Sequence, residues 1–117
     1  MVGKLATVVL LVAVLAACSR TPQPSELASL ASAAPTLLHE ISQTGEVPAS
    51  KWPAPVARLK PERVYATPQG LYIATSSFFV QEWGLFVPRS PGFVAQPGTD
   101  PSYTSIGQGV FSYHLKG

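Results

Sequence analysis

Residues 63–75 read RVYATPQGLYIAT, two apolar runs on either side of a short polar segment. Pro68 and Gly70 are typical turn residues, because proline fixes φ near the value a turn needs and glycine accepts positive φ. The branched and aromatic residues on both sides of Pro68 and Gly70 favour extended strands. The stretch therefore predicts a β-hairpin and indicates that the second half of the chain forms a sheet.

Two further segments of the second half carry a strand signal. Residues 77–87 read SFFVQEWGLFV and predict a third strand with an interruption at Gln81 and Glu82. Residues 109–115 alternate cleanly, so that Phe111 and Tyr113 share one face with Leu115. We expect an antiparallel sheet of about four strands with one buried face.

The segment before the hairpin predicts short helices. Ser25 is a suitable N-cap for a first helix, and Pro35 fits the first turn of a second helix over residues 35–43. Prolines exclude a central strand from residues 46–61, where a short helix over residues 53–59 is predicted. The predicted fold class is α+β, with short N-terminal helices packed on one face of the antiparallel sheet.

A long connection precedes the last strand. Residues 88–108 read PRSPGFVAQPGTDPSYTSIGQ, with four prolines and three glycines. Loops of this length are unusual inside a compact domain and are often functional or disordered. Phe93, Tyr103 and Ile106 are apolar, and we expect them to anchor this loop on the domain.

The start of the chain has the pattern of a secretory signal peptide. Lys4 is followed by residues 5–17, LATVVLLVAVLAA, in which only Thr7 is not apolar. A positive start, an apolar core of 7–15 residues and small residues at its end are typical of such a signal. A transmembrane helix needs roughly 20 apolar residues, so this run is too short to be a good span.

The end of that run carries a second motif. Leu15-Ala16-Ala17-Cys18 resembles the lipobox of bacterial lipoproteins in all four positions, and Cys18 is the only cysteine of the chain. The resemblance implies a diacylglyceryl group on the Cys18 thiol, cleavage after Ala17 and acylation of the new amino group. Several acyl chains matter because one chain alone gives marginal membrane binding. The alternative is an ordinary secreted protein with a chance cysteine at the cleavage site.

These motifs divide the chain into three parts. Residues 1–17 are a signal peptide that is removed, residues 18–25 are the lipidated cysteine and a flexible tether, and residues 26–117 form one small domain. In Gram-negative lipoproteins the residue after the cysteine influences sorting. Ser19 is not the aspartate that resembles an inner-membrane retention signal, so the periplasmic face of the outer membrane is favoured. With Cys18 lipidated, an internal disulfide is excluded, and the stability of the domain must come from its core.

Charge and motif spacing exclude several function classes. The formal net charge is +2, and no cluster of Lys and Arg gives an electrostatic footprint for nucleic acid. The two histidines, His39 and His114, lack the neighbouring ligands of a metal site, and no glycine-rich loop indicates a phosphate-bearing cofactor. Ser112, His114 and Asp100 could be written as a catalytic set, but nothing resembles a nucleophile elbow. We therefore predict neither metal nor cofactor, and no enzymatic activity.

The aromatic residues are the remaining feature. All eleven lie between Trp52 and Tyr113, too many for one face of a four-stranded sheet. A core with scattered surface aromatics is the simpler interpretation. The functional interpretation is an exposed patch for a partner. Tyr65 and Tyr72 are then the first choices, because they alternate with aliphatic residues, and Trp83 and Tyr103 are the second.

The sequence thus predicts a membrane-anchored lipoprotein of the bacterial envelope that serves as a non-enzymatic interaction or structural module. The alternative is a small envelope hydrolase or carbohydrate-binding protein that uses the loop 88–108 with Asp100, Tyr103 and His114. A third possibility is an accessory lipoprotein that neutralises a toxin or an inhibitor. The sequence does not identify the partner or ligand.

Overall fold

The computed structural model describes residues 22–41 and 44–117 of the chain. The predicted signal peptide, Cys18 and residues 19–21 lie outside the described residues. One long helix and one single-turn helix precede most of the strands. The elements are α1 (Pro24–Glu40), β1 (Gly45–Glu46), a 3-10 turn (Ala49–Lys51), α2 (Ala54–Ala57), β2 (Arg63–Ala66), β3 (Gly70–Phe78), β4 (Gln81–Pro88), β5 (Ser102–Gly107) and β6 (Val110–Leu115).

The six strands form one antiparallel sheet in the order β1-β2-β3-β4-β6-β5. The predicted hairpin is confirmed as β2 and β3, with Val64 opposite Ile73 and Tyr65 opposite Tyr72. The antiparallel sheet is also confirmed, but the number of four strands is wrong. The segment 77–87 belongs to two strands, and β1 and β5 extend the sheet at its two edges.

The predicted number and lengths of the helices are wrong. In place of a first helix and a second one from Pro35, α1 runs without a break through Pro35. Its buried residues keep a spacing of three and four across the proline, so the helix buries one continuous apolar face, and this packing outweighs the local cost of proline. The helix already includes Pro24 and Ser25, so the predicted tether over residues 18–25 ends earlier than expected.

The predicted helix over residues 53–59 is reduced to the single turn of α2, preceded by the 3-10 turn. Prolines at positions 48, 53, 55 and 61 remove the amide donors that a longer helix needs. The segment is held by side chains instead. The indole Nε1 of Trp52 donates to the carbonyl oxygen of Val47 at 2.9 Å.

The aliphatic core lies between α1 and one face of the sheet, which we call the helix side. Its centre is closely packed, with Ala34, Val56, Leu71 and Ile73 at zero relative exposure. The core is built from alternate residues of β2, β3 and β4 and from one face of α1. A helix therefore packs on one face of the sheet, the arrangement that was predicted for several short helices. The members are Leu27, Leu30, Ala34, Leu37, Leu38, Val47, Val56, Val64, Ala66, Leu71, Ile73, Leu85, Val87 and Val110.

The opposite face, which we call the aromatic side, is covered too, so the expectation of a single buried face is wrong. Tyr72, Phe86 and Tyr113 are buried there, with half-buried aromatic rings packed around them. Part of the cover comes from the segment between β4 and β5, because the ring of Phe93 lies 5.1 Å from that of Phe86. Phe93 therefore anchors this segment, as predicted, and Tyr103 joins the same cluster, while Ile106 packs on the aliphatic core.

Candidate functional site

A cleft of about 330 Å³ opens on the helix side of the sheet, where β4, β6 and β5 extend beyond the aliphatic core. Aromatic rings and small hydroxyl side chains of the strands form its floor, and Pro22 and Leu59 form one wall. The floor residues are Thr75, Trp83, Leu85, Ser102, Thr104, Ser112 and His114. Concave sites with aromatic surface and a few polar groups are the usual places for ligands in proteins.

A stacked pair of rings lies in the floor of the cleft. Trp83 of β4 and His114 of β6 are cross-strand partners, and their rings stack with centroids 4.7 Å apart and planes 8° from parallel. The Nε2 atom of His114 lies 2.9 Å from the Oε1 atom of Gln81. The histidine is therefore held on both its face and its edge, and the pair forms a rigid flat surface.

The hydroxyl groups of the floor use their protons inside the protein. Thr75 Oγ1 donates to the carbonyl oxygen of Trp83 at 3.3 Å, and Ser102 Oγ donates to that of His114 at 3.4 Å. Ser112 Oγ donates to the carbonyl oxygen of Thr104 at 3.5 Å. Since a hydroxyl also has two acceptor lone pairs, the cleft offers acceptors to N–H and O–H donors of a ligand.

One side of the cleft borders an open edge of the sheet. β5 is the last strand of the sheet order, so one row of its backbone groups faces away from β6. Its sequence, SYTSIG, contains no charged residue and no proline, two of the features that blunt edge strands, and its one register shift lies at the end of the strand, between Ser105 and Gly107. The opposite edge, β1, has only two residues. Within the described residues, β5 is thus the long edge that can accept another strand.

The structure separates the residues of the possible catalytic set. The carboxylate of Asp100 accepts the backbone N–H groups of Lys116 at 2.7 Å and Gly117 at 3.1 Å. His114 is engaged by Trp83 and Gln81, and Ser112 donates to a backbone carbonyl. A nucleophile–base–acid arrangement requires hydrogen bonds between Ser112 and His114 and between His114 and Asp100. In the described part of the chain, neither of these hydrogen bonds is formed.

The four residues predicted to bind a partner do not form one surface. Tyr65, Tyr72 and Tyr103 belong to the aromatic side, whereas Trp83 lies in the cleft on the helix side. Tyr72 is only 3% exposed. The tyrosines do lie on the face opposite the aliphatic core, as the alternation predicts. This face is not open to solvent, because its aromatic rings pack on one another and form a second core.

A buried carboxylate on the aromatic side was missed by sequence reasoning, which treated Glu82 as a strand interruption. Glu82 is 6% exposed, and its Oε2 atom accepts the hydroxyls of Tyr65 at 2.5 Å and Tyr113 at 2.7 Å. Arg63 Nε lies 3.2 Å from Glu82 Oε1, and the Arg63 guanidinium lies 4.5 Å from the centre of the Tyr65 ring. The signal was available, since strand alternation places Glu82 on the same face as Phe86.

Burial on the aromatic side raises the pKa of three tyrosines, Tyr65, Tyr72 and Tyr113. Burial and the hydrogen bond to Glu82 raise the pKa of Tyr65 to about 12. Burial and the hydrogen bond to Glu82 also raise the pKa of Tyr113. Burial and the hydrogen bond to the Tyr103 hydroxyl, whose oxygen lies 2.5 Å away, raise the pKa of Tyr72. A phenol that loses its proton only at high pH is a stable hydrogen-bond donor, so this network is structural at neutral pH.

Two further observations concern metals and membranes. Across residues 22–41 and 44–117, no three His, Cys, Asp or Glu side chains are grouped so that they could hold a metal ion. Among the helices that the structure describes, none is long and apolar enough to cross a bilayer.

The comparisons with known proteins give no relative. No protein-family model matches the chain, and neither a curated protein nor a solved structure matches it.

Proposed function

We propose that this protein is a lipid-anchored, non-enzymatic interaction module of the bacterial envelope, held at the periplasmic face of the outer membrane through Cys18. The resemblance of residues 15–18 to a lipobox supports the anchor. The cleft beside the open β5 edge supports the binding role, and it is the observation that carries the proposal. The partner is an extended segment of an envelope protein.

The binding mode follows from the chemistry of the edge. A segment that pairs with β5 as an added strand satisfies the row of backbone groups that faces away from β6. Its side chains alternate between the two faces of the sheet, so every second one points toward the cleft. There it meets the flat Trp83–His114 surface and the acceptor oxygens of the hydroxyl side chains. Backbone pairing supplies affinity, and the cleft supplies selectivity.

A photo-crosslinking experiment tests the binding site. A crosslinking amino acid at Thr104, an exposed residue of β5, is compared with one at Ser32, an exposed residue of α1. We expect one defined crosslinked protein from Thr104 only, and its loss when Trp83→Ala is added to the Thr104 protein. Equal crosslinking from both positions, or crosslinking that Trp83→Ala does not reduce, would contradict the proposed site. The circular dichroism spectrum of each variant checks that the fold is retained.

A carbohydrate ligand is the second candidate, favoured by the stacked rings beside the hydroxyl groups of the cleft. Flat aromatic surface with hydrogen-bonding groups around it suits a sugar ring as well as a peptide side chain. Titration calorimetry with soluble peptidoglycan fragments separates the two. Saturable binding that Trp83→Ala abolishes supports the carbohydrate, whereas the absence of heat together with position-specific crosslinking supports the protein partner.

A further inference from the structure

The tip of the β3–β4 hairpin carries the largest exposed apolar group among the described residues. Phe78 is 61% exposed, Phe79 is 90% exposed and Val80 is 71% exposed. The rings of Phe78 and Phe79 meet edge to face with their centroids 4.5 Å apart. Three consecutive large apolar residues at the end of a hairpin form a compact apolar knob, which we call the tip.

The tip lies outside both cores of the described domain. Neither core of the sheet includes any of its three residues. Phe79 moreover adopts φ +56, in the left-handed region that bulky residues rarely occupy. A glycine or asparagine would relieve this strain and remove the exposed ring. The presence of phenylalanine here is therefore costly for solubility and for the turn, and it points to a role outside the fold.

Pro22, the first described residue, lies at the same end of the sheet as the tip. Pro22 lines the cleft together with Thr75 and Trp83, near the tip end of β3 and β4. Thr75 precedes Phe79 by four residues, about 13 Å along a strand. Cys18 precedes Pro22 by four residues, and a chain of that length reaches about 14 Å at most. An acylated Cys18 in the membrane thus keeps this end of the sheet within reach of the lipid surface.

We infer that the tip inserts into the lipid interface beside the acylated Cys18 and fixes the orientation of the domain on the membrane. The inference rests on the proposed anchoring at Cys18. The lipid interface accepts a few apolar side chains from a protein surface, and aromatic residues are favoured there. With the tip in the membrane, the turn between β2 and β3, at the other end of β3, points away from the bilayer.

A second copy of the chain is a poorer occupant for the tip. Stable protein interfaces bury roughly 1,200–2,000 Å² in total, and about 20 to 30 residues contribute on each side. The exposed apolar group at this end consists of three residues, which is too small for such an interface by itself. A lipid surface needs no complementary shape, so a small apolar knob is sufficient.

Spin labelling of the membrane-anchored protein tests the inference with a matched pair of positions. Val80 and Val94 are both exposed valines, at 71% and 69%, and Val94 belongs to the segment before β5, beside Gln69 of the β2–β3 turn. With Cys18 acylated, Val80→Cys or Val94→Cys supplies the single free thiol for a nitroxide. The lipidated full protein is reconstituted in neutral phosphatidylcholine vesicles, and the accessibility of each nitroxide to oxygen and to a water-soluble nickel complex is measured.

We expect the oxygen-to-nickel accessibility ratio to be several-fold higher at position 80 than at position 94. Adding Phe78→Ser and Phe79→Ser should lower the ratio at position 80 toward that at position 94. Equal ratios at the two positions on vesicle-bound protein would overturn the inference while leaving the Cys18 anchor intact. Spin–spin broadening at position 80 that grows with protein density would also overturn it, in favour of a second copy. Protein that does not stay on the vesicles would instead refute the proposed anchoring.

Discussion

Replacing Glu82 with leucine removes the acceptor of two tyrosine hydroxyls on the aromatic side of the sheet. The carboxylate is 6% exposed, so water cannot easily take its place. Leucine is close to glutamate in size, and it leaves the hydroxyls of Tyr65 and Tyr113 beside an apolar group. Arg63, whose side chain is 50% exposed, also loses its partner but remains in contact with solvent. The change therefore leaves the buried hydroxyl of Tyr113 and the half-buried hydroxyl of Tyr65 without their acceptor.

The size of the effect follows from these contacts. A buried donor left without an acceptor costs about 1–3 kcal/mol and a half-buried one costs less, so the two together cost about 2–4 kcal/mol in the free energy of unfolding. The lost pair with Arg63 adds at most about 1 kcal/mol, because half-exposed ion pairs are weak. The apolar surface of leucine offsets part of this cost. A net loss of about 2–5 kcal/mol is a large share of the roughly 5–15 kcal/mol that stabilises a typical domain.

Two related variants separate the hydrogen bonds from the charge. Glu82→Gln keeps one acceptor oxygen for the tyrosines but loses the charge and the second acceptor that faces Arg63 Nε. We expect a smaller loss of about 1–2 kcal/mol, since bonds to charged groups are about twice as strong as neutral ones and Arg63 can turn to solvent. Tyr113→Phe should destabilise the native protein. In the Glu82→Leu background, however, the same change should be neutral or stabilising, because it removes a stranded hydroxyl.

Urea unfolding of residues 19–117, which include every described residue, measures these differences. The midpoint should fall in the order native, Glu82→Gln, Glu82→Leu, with an unchanged m-value. Glu62→Gln is the matched control, because Glu62 accepts a hydrogen bond from Ser77 Oγ at 2.6 Å in an exposed position. It should change the free energy of unfolding by less than about 0.5 kcal/mol. A Glu82→Leu protein as stable as the native one would refute the structural role of the network.

Three further predictions concern the same sheet. Because Tyr65, Tyr72 and Tyr113 have raised pKa values in the native state, the unfolded state loses protons first above about pH 10. Stability that is present in full below that pH should fall as the pH rises toward 12, by at most about 1.4 kcal/mol per pH unit for each of the buried Tyr72 and Tyr113 and by less for the half-buried Tyr65. Thermal melts between pH 8 and pH 12 check this, and a double Tyr65→Phe/Tyr113→Phe variant that falls just as steeply would contradict it. Gly84→Ala should destabilise the domain by at least about 1–3 kcal/mol in urea unfolding, because the added Cβ would collide with the backbone carbonyl of Ile73. Gly92→Ala is the control, because its added Cβ would make only an ordinary van der Waals contact, 3.6 Å from Ser90 Oγ. Phe93→Ala should cost about 2–4 kcal/mol by the same measurement, because its ring packs on Phe86, Tyr103 and Phe111, and a loss no larger than that of Val94→Ala would show that this segment does not cover the aromatic side.

The hairpin at residues 63–75 was predictable because local turn chemistry and strand propensity agree there. The number of strands was not, because the prolines and glycines of residues 88–108 indicate a loop and conceal the tight hairpin that β5 forms with β6 across Gln108 and Gly109. The continuity of α1 through Pro35 was missed for a different reason, since tertiary packing of its apolar face outweighs the local preference of proline.

The residues of the candidate site were also predictable only in part. Trp83 was selected from the sequence and does lie in the cleft, but its partner His114 entered only the alternative site with Asp100 and Tyr103. Cross-strand register brings the two rings together, and register cannot be deduced from either strand alone. Tyr65 and Tyr72 were assigned to an open face, because the sequence does not show that Phe93 and Tyr103 cover it.

The mass of the mature N-terminus tests the proposed anchoring most directly. The protein is expressed in a Gram-negative host with its own signal segment, extracted from the membrane fraction with detergent, and its N-terminal peptide is analysed by mass spectrometry. We expect a peptide that begins at Cys18 and carries acyl chains on the thiol and the amino group, and we expect Cys18→Ala protein no longer to sediment with membranes. A peptide that keeps residues before Cys18, or an unmodified Cys18 in membrane-bound protein, would contradict it.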